Sequence, residues 1–156
     1  MSALLFDFLD LALLIFRPQL TSTPLHLPVF LAQGKVVDAY NTSSSILTQL
    51  GETVPEAVTL EAVGVMIPET LNLYAEVYCE DWLEKKMEDT TLCNIVKFYS
   101  VTVTAAYFCK PMHMLAYFVC KMVQLSLQNG VCQHTPLALM QLSFITIRFD
   151  NAVFVQ

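Results

Sequence analysis

PMHMLAYFVCKMVQLSLQNG, residues 111–130, is the stretch on which the fold class turns. It opens on Pro111, which suits a first helical turn because that turn leaves its N–H groups unbonded anyway. It closes on Asn129-Gly130, a good C-cap, with the glycine expected in left-handed conformation. Between these ends, Leu115, Phe118, Val119, Met122, Leu125 and Ser126 recur at three- and four-residue steps, marking a helix face that must be buried. The other face is hardly more polar: Tyr117, Val123 and Leu127 leave only Lys121, Gln124 and Gln128 to meet water. A helix this apolar belongs inside a stack of other helices.

Working outward, Lys110-Pro111 is a hinge to a second apolar helix that starts at Thr90 or Thr91 and runs through Phe108. The run Val101-Thr102-Val103-Thr104 has β propensity, but the longer helical period around it outweighs four residues. Downstream, Thr135-Pro136 reads as a cap and first-turn proline for a last helix carrying Leu137, Met140, Leu142, Phe144 and Ile145. Upstream, Asp81–Asp89 is the most charged segment, an exposed turn from which Trp82 and Leu83 drop back onto the core. Pro68 is expected to split residues 59–80 into a short helix capped by Thr59 and a second helix from Glu69, with a stripe of Leu71 or Leu73, Tyr74, Val77 and Tyr78.

Between Gly34-Lys35 and Gly51, the residues Val36, Ala39, Tyr40, Ser43, Ile46, Leu47 and Leu50 follow helical spacing. A glycine turn followed by a helix with a small residue at Ala39, where a partner helix must come close, is the mark of the second helix of a tetratricopeptide-type hairpin. Residues 1–27 resemble nothing that follows: Ser2 can cap an apolar helix Ala3–Phe16, ended by Arg17-Pro18 and a linker. The expected domain division is therefore 1–27 as an apolar helix and linker, and 28–156 as a helical region. About seven helices and no sheet make an all-α fold of antiparallel hairpins. The chain stops on Ala152-Val153-Phe154-Val155-Gln156 without a polar tail, which reads as truncation of a larger protein.

Composition narrows the function. Apolar residues make up 55% of the chain and charged residues 14%, against about 45–50% and 25% in ordinary soluble domains. Either a membrane or a larger structure covers much of the surface. The apolar run 3–16 carries Asp7 and Asp10, and is short of the roughly 20 residues a span needs. No basic region precedes it and no small-x-small site follows it, so neither a membrane span nor a signal peptide is expected, and the location read is cytoplasmic. A net charge of −6 with eight basic residues excludes a nucleic-acid face.

Five cysteines, Cys79, Cys93, Cys109, Cys120 and Cys132, form no CxxC pair, so no zinc site is expected and the thiols read as reduced and buried. His26, His113 and His134 are scattered without partners at ligand spacing. Ser43-Ser44-Ser45 lacks a nucleophile elbow, and the four glycines stand alone rather than in a phosphate loop. The residues singled out are structural: Gly34, Ala39, Pro111, Leu115, Phe118, Met122, Leu125 and Gly130. No catalytic, cofactor-binding or metal-binding residue is expected.

Three motifs carry a family resemblance: Leu50-Gly-Glu-Thr-Val-Pro-Glu56, Ala105-Ala-Tyr-Phe-Cys-Lys-Pro111, and Met122-Val-Gln-Leu-Ser-Leu-Gln-Asn-Gly130. With Leu31–Thr42 they resemble, in order, the helical-repeat region of large multidomain signalling proteins, expanded in diatoms. Those proteins join a serine/threonine-kinase-like domain, an AAA-type ATPase and a tetratricopeptide-like region, some with a sensor histidine kinase or cyclase. The similarity covers roughly residues 30–150. It implies a tetratricopeptide-like solenoid that docks a protein partner or adjoining kinase and ATPase domains, self-associates where its ends are uncovered, and performs no chemistry itself. No kinase loop or Walker motif is present, so no catalytic residue carries over. Two other readings stay open: a small membrane-associated helical protein, and a ligand-binding helical bundle.

Overall fold

A computed structural model describes residues 34–153, with side chains to residue 150; the helix expected over Ala3–Phe16 lies outside the described residues. Among them the chain is all-α, with six helices: α1 (Val36–Gln49), α2 (Leu60–Val77), α3 (Glu80–Glu84), α4 (Thr90–Cys109), α5 (Met112–Asn129) and α6 (Thr135–Val153). The pairing of extended backbone between helices amounts to one isolated bridge, Lys86 with Val131.

α5, formed by the stretch 111–130, lies in the middle. It packs on α4, α2 and α6, while α1 packs chiefly on α4. The chief contacts therefore run α1 to α4, α4 to α5 and α5 to α2, with α6 laid against α5 and lightly against α4. Leu115, Phe118 and Met122 are buried as the spacing requires, and so are Val123 and Leu127 on the face read as outward. Leu125 is a correction: it is half-buried. The helix is enclosed on three sides, so two stripes are fully covered, Met114, Phe118, Met122 and Ser126, and Ala116, Val119, Val123 and Leu127.

Ala39 has no exposure and Tyr40, Ser43 and Leu47 share its face, letting α1 approach α4 closely. Gly34 precedes α1 at φ +71, with open space around it. α4 starts at Thr90 rather than Thr91, because Asp89 caps it, accepting from the N–H groups of Thr91 (2.7 Å) and Leu92 (3.2 Å). The Asp89 carboxylate also sits at the positive end of the helix. Pro111 caps α5 in extended conformation. α6 starts at Thr135 itself, whose hydroxyl turns back to accept from the Cys132 N–H at 3.0 Å and donate to Ser126 Oγ at 3.1 Å.

Pro68 does not split α2. The helix runs through it, capped at Thr59, whose hydroxyl accepts from the Ala62 N–H at 3.1 Å. A proline ring presses on the carbonyl four residues before it and leaves that carbonyl unbonded. Here that residue is Gly64, which is exposed, so the orphaned carbonyl is on the solvent side of the helix rather than in the core. The buried stripe shifts accordingly to Val63, Ile67 and Thr70, and Tyr78 is exposed.

The charged segment 80–89 is a clasp rather than a free turn. Trp82 is buried and donates Nε1–H to the Ser126 carbonyl at 3.3 Å, while Leu83 stays exposed. Met87 N–H donates to Val131 O at 2.9 Å, and Val131 N–H to Lys85 O at 2.7 Å. Gly130 sits beneath this crossing at φ +107, ψ −177. This is not the left-handed helical C-cap expected but an extended mirror-image conformation open essentially to glycine alone. A Cβ there would lie 2.7 Å from the Lys85 carbonyl oxygen.

Gly130→Val should therefore cost well over about 1 kcal/mol in denaturant unfolding, since it meets both a forbidden φ and a backbone oxygen. Phe118→Ala should cost about 3–5 kcal/mol, and Leu125→Ala clearly less, in the same assay. Equal costs at 118 and 125 would mean α5 is turned wrongly.

Candidate functional site

α2 and α6 flank α5 without packing substantially on each other, and the space left between them is an open groove of about 330 Å³. Its walls are Leu71 and Tyr74 from α2, and Leu139, Leu142, Ser143, Thr146 and Ile147 from α6. The α6 residues recur at three- and four-residue spacing, a second helix face beside the one (Ala138, Leu142, Ile145) that faces the core. Ile147 is 62% exposed, and Leu60, on the α2 face of Leu71 three turns earlier, is 63% exposed.

The polar groups of the groove are already engaged. Ser143 Oγ donates to Leu139 O at 3.1 Å and Thr146 Oγ1 to Leu142 O at 2.9 Å, each within its own helix. Tyr74 stacks on Tyr78 at 4.7 Å, and partial burial with the neighbouring phenol pushes its ionisation up, so it is neutral at any ordinary pH. The groove therefore offers area and shape, with no charge and few free hydrogen-bonding groups. Such a surface selects an apolar occupant rather than a polar substrate.

The residues singled out from the sequence lie elsewhere, as packing positions: Gly34 and Ala39 at and in α1, Pro111 to Gly130 along α5. Sequence reading places Leu71 and Tyr74 on the buried stripe of their helix and misses that α6 carries two apolar faces. The signal lies in Leu139, Ser143, Thr146 and Ile147, whose apolar and small residues repeat at helical spacing outside the core stripe.

Other buried chemistry serves the core. Cys120 is enclosed and its thiol is pushed up to about 11 by burial, hence inert. The expectation of buried thiols holds for Cys120 alone: Cys79 is exposed, and Cys93, Cys109 and Cys132 are half-buried, because they sit at helix ends and links where cover is thinner. The Tyr99 hydroxyl donates to Glu52 at 2.6 Å, and burial pushes its ionisation far up. Among the described residues no group of three His, Cys, Asp or Glu side chains is placed to hold a metal ion.

His134, at the foot of α6, is buried; the Gln133 amide meets its Nε2 at 3.2 Å and its Nδ1 has no partner. Burial, and then the positive charge of Lys97, lower its pKa from 6.5 to about 4.

No known family matches the chain, and no curated protein or solved structure is significantly similar to it.

His134 sets a pH dependence. Its folded pKa lies below its unfolded one, so the unfolded chain binds the extra proton between them. The stability it protects is complete above about pH 6.5 and is lost as pH falls towards 4. Urea unfolding at pH 7 and pH 4.5 should show the loss, on the order of 2 kcal/mol from this group, and His134→Gln should flatten that part of the profile.

Proposed function

We propose that this chain is a non-enzymatic helical scaffold that binds a protein partner by laying an apolar helix face into the groove between α2 and α6. The carrying observation is the groove itself: apolar walls, self-satisfied hydroxyls, and Ile147 left largely exposed among its lining residues. Helix-in-groove recognition draws its affinity from such anchors at i, i+3, i+4 and i+7. The resemblance of Leu50–Glu56, Ala105–Pro111 and Met122–Gly130 to the repeat region of kinase- and ATPase-bearing signalling proteins supplies the partner class: an adjoining domain of that kind, in the cytoplasm. The tetratricopeptide-like solenoid belongs to the same proposal. In its favour are the consecutive hairpins α4–α5 and α5–α6, each closed by a short link.

One observation favours a second reading, a membrane-associated helical protein: α4 is long and apolar enough to cross a bilayer by length and composition, with 56% of that window buried inside the protein. Burial of that kind is equally what a core helix shows.

The groove is tested with 1-anilinonaphthalene-8-sulfonate on the purified chain. Dye should bind in the groove, and Leu71→Asp or Ile147→Asp should weaken binding at least several-fold, the exposed Ile147→Asp with the melting temperature nearly unchanged. An amphipathic helical peptide should displace the dye, and its scrambled, non-amphipathic counterpart should not. Unaltered dye binding in both variants would reject the groove. ATP turnover by the purified chain would reject the non-enzymatic assignment, and flotation with liposomes would favour the membrane reading.

A further inference from the structure

The clasp at the base of the molecule gathers two cysteines that are far apart in sequence. Cys93 lies in the first turn of α4 and Cys132 in the turn between α5 and α6. The Cys93 thiol donates to Met87 O at 3.5 Å, and Met87 in turn donates its N–H to the carbonyl of Val131, the residue beside Cys132. Thr135 Oγ1 lies 3.6 Å from Cys132 Sγ and holds that side chain from the other direction. Met87 thus ties both cysteines to one clasp, and Cys132 is the neighbouring group that acts most strongly on the Cys93 thiol, ahead of Asp89. Both are free and half-buried, which leaves a small oxidant a path to them.

We propose that Cys93 and Cys132 form a reversible dithiol–disulfide site, oxidised by a small peroxide, that locks the clasp across the foot of α4 and α6. The Cys132 thiolate attacks one oxygen of hydrogen peroxide and the O–O bond breaks, leaving a sulfenic acid; the departing hydroxide leaves as water with the proton the thiol gave up. The sulfur of Cys93 then attacks the sulfenic sulfur. An S–S bond forms, the S–O bond breaks, and the hydroxide takes the Cys93 proton as a second water. Two thiols are oxidised to one disulfide, and one peroxide is reduced to two waters.

The surroundings assign the roles. Burial, the adjacent Cys132 thiol and Asp89 all push the Cys93 thiol up, so it is a poor first nucleophile and serves as the resolving thiol. The bond would close a loop containing all of α5 and most of α4, which removes freedom from the unfolded chain. It would also fix the foot of α6, one wall of the groove, though the chemistry stands whether or not the groove binds a partner.

Peptide mapping of the full chain is the test. Reduced protein is treated with equimolar hydrogen peroxide, remaining thiols are alkylated, and trypsin is added without reductant. Cleavage places Cys93 in 87–97 and Cys132 in 122–148, while Lys110-Pro111 resists cleavage and keeps Cys109 and Cys120 together in 98–121. The expected product is 87–97 joined to 122–148, two hydrogens below the summed masses and separated again by dithiothreitol. The oxidised chain should melt roughly 10 °C higher than the reduced one. Cys93→Ser and Cys132→Ser should each abolish the linked pair, and Cys120→Ser should keep it. Recovery of both cysteines alkylated after oxidation, or linkage to other cysteines or to a second chain, overturns the proposal. If either serine variant fails to fold, the wild-type map is sufficient: the 87–97 to 122–148 pair upholds the site and its absence overturns it.

Discussion

Phe118 is where the helices are keyed together. Its ring meets Tyr40 of α1 at 6.1 Å, Tyr99 of α4 at 6.2 Å and its own neighbour Tyr117 at 5.5 Å, in edge-on or tilted arrangements. Such pairs gain roughly 0.5–1.5 kcal/mol each beyond the area they bury. Three helices therefore converge on one side chain, and their spacing is set by ring dimensions rather than by any connecting loop. Tyr40 also carries the Lys110 ammonium over its outer face at 4.5 Å, so the junction ends in a charge at the α4–α5 link. From this point outward, α2 and α6 take their places simply by covering what α5 still exposes.

Covering an all-round apolar helix raises a second difficulty: the hydroxyls that come with it. The chain turns most of them onto its own backbone. Thr70 donates to Met66 O at 2.8 Å, Thr102 to Phe98 O at 2.8 Å and Thr104 to Ser100 O at 3.0 Å. Two of these then also act between helices: Thr102 meets Ser43 Oγ of α1 at 2.9 Å, and Thr70 accepts from Gln124 of α5 at 2.8 Å. A hydroxyl already satisfied locally loses little if the neighbour shifts. One placed in a buried seam still penalises the wrong register, because a carbon opposite it gives nothing. The α1–α2 loop is fastened in the same manner, by Tyr99 to Glu52 and by Tyr117 to the Thr53 carbonyl.

The fold class was legible in the sequence because burial leaves a period. The start of α1, the Thr59 cap and the Pro111 hinge could all be read, since each depends on residues within a turn of itself. What could not be read was set by distant contacts. Leu125 and Val123 are equivalent by composition, and only the direction of α2 and α6 decides which is covered. Pro68 signals a break, yet exposure of Gly64 cancels most of the cost. The clasp was invisible because Trp82 finds Ser126, and Lys85 finds Val131, across more than forty positions. The groove was half visible: its residues were plain in the sequence, but an apolar face that faces nothing looks the same there as one that faces the core.

Pro68 also bears on how the groove behaves. The missing N–H lies between the half of α2 pinned by Val63 and Ile67 and the half that carries Leu71 and Tyr74, and Thr70 is the last fully buried side chain before the wall begins. Beyond it, the helix leans on partly covered residues alone. α6 thus faces a wall whose own ladder lacks one rung, the place where a helix bends most readily. A change in cleft width would fall on that rung of one helix rather than on the packed centre. The aromatic junction of Phe118, Tyr40 and Tyr99 lies outside any such bend.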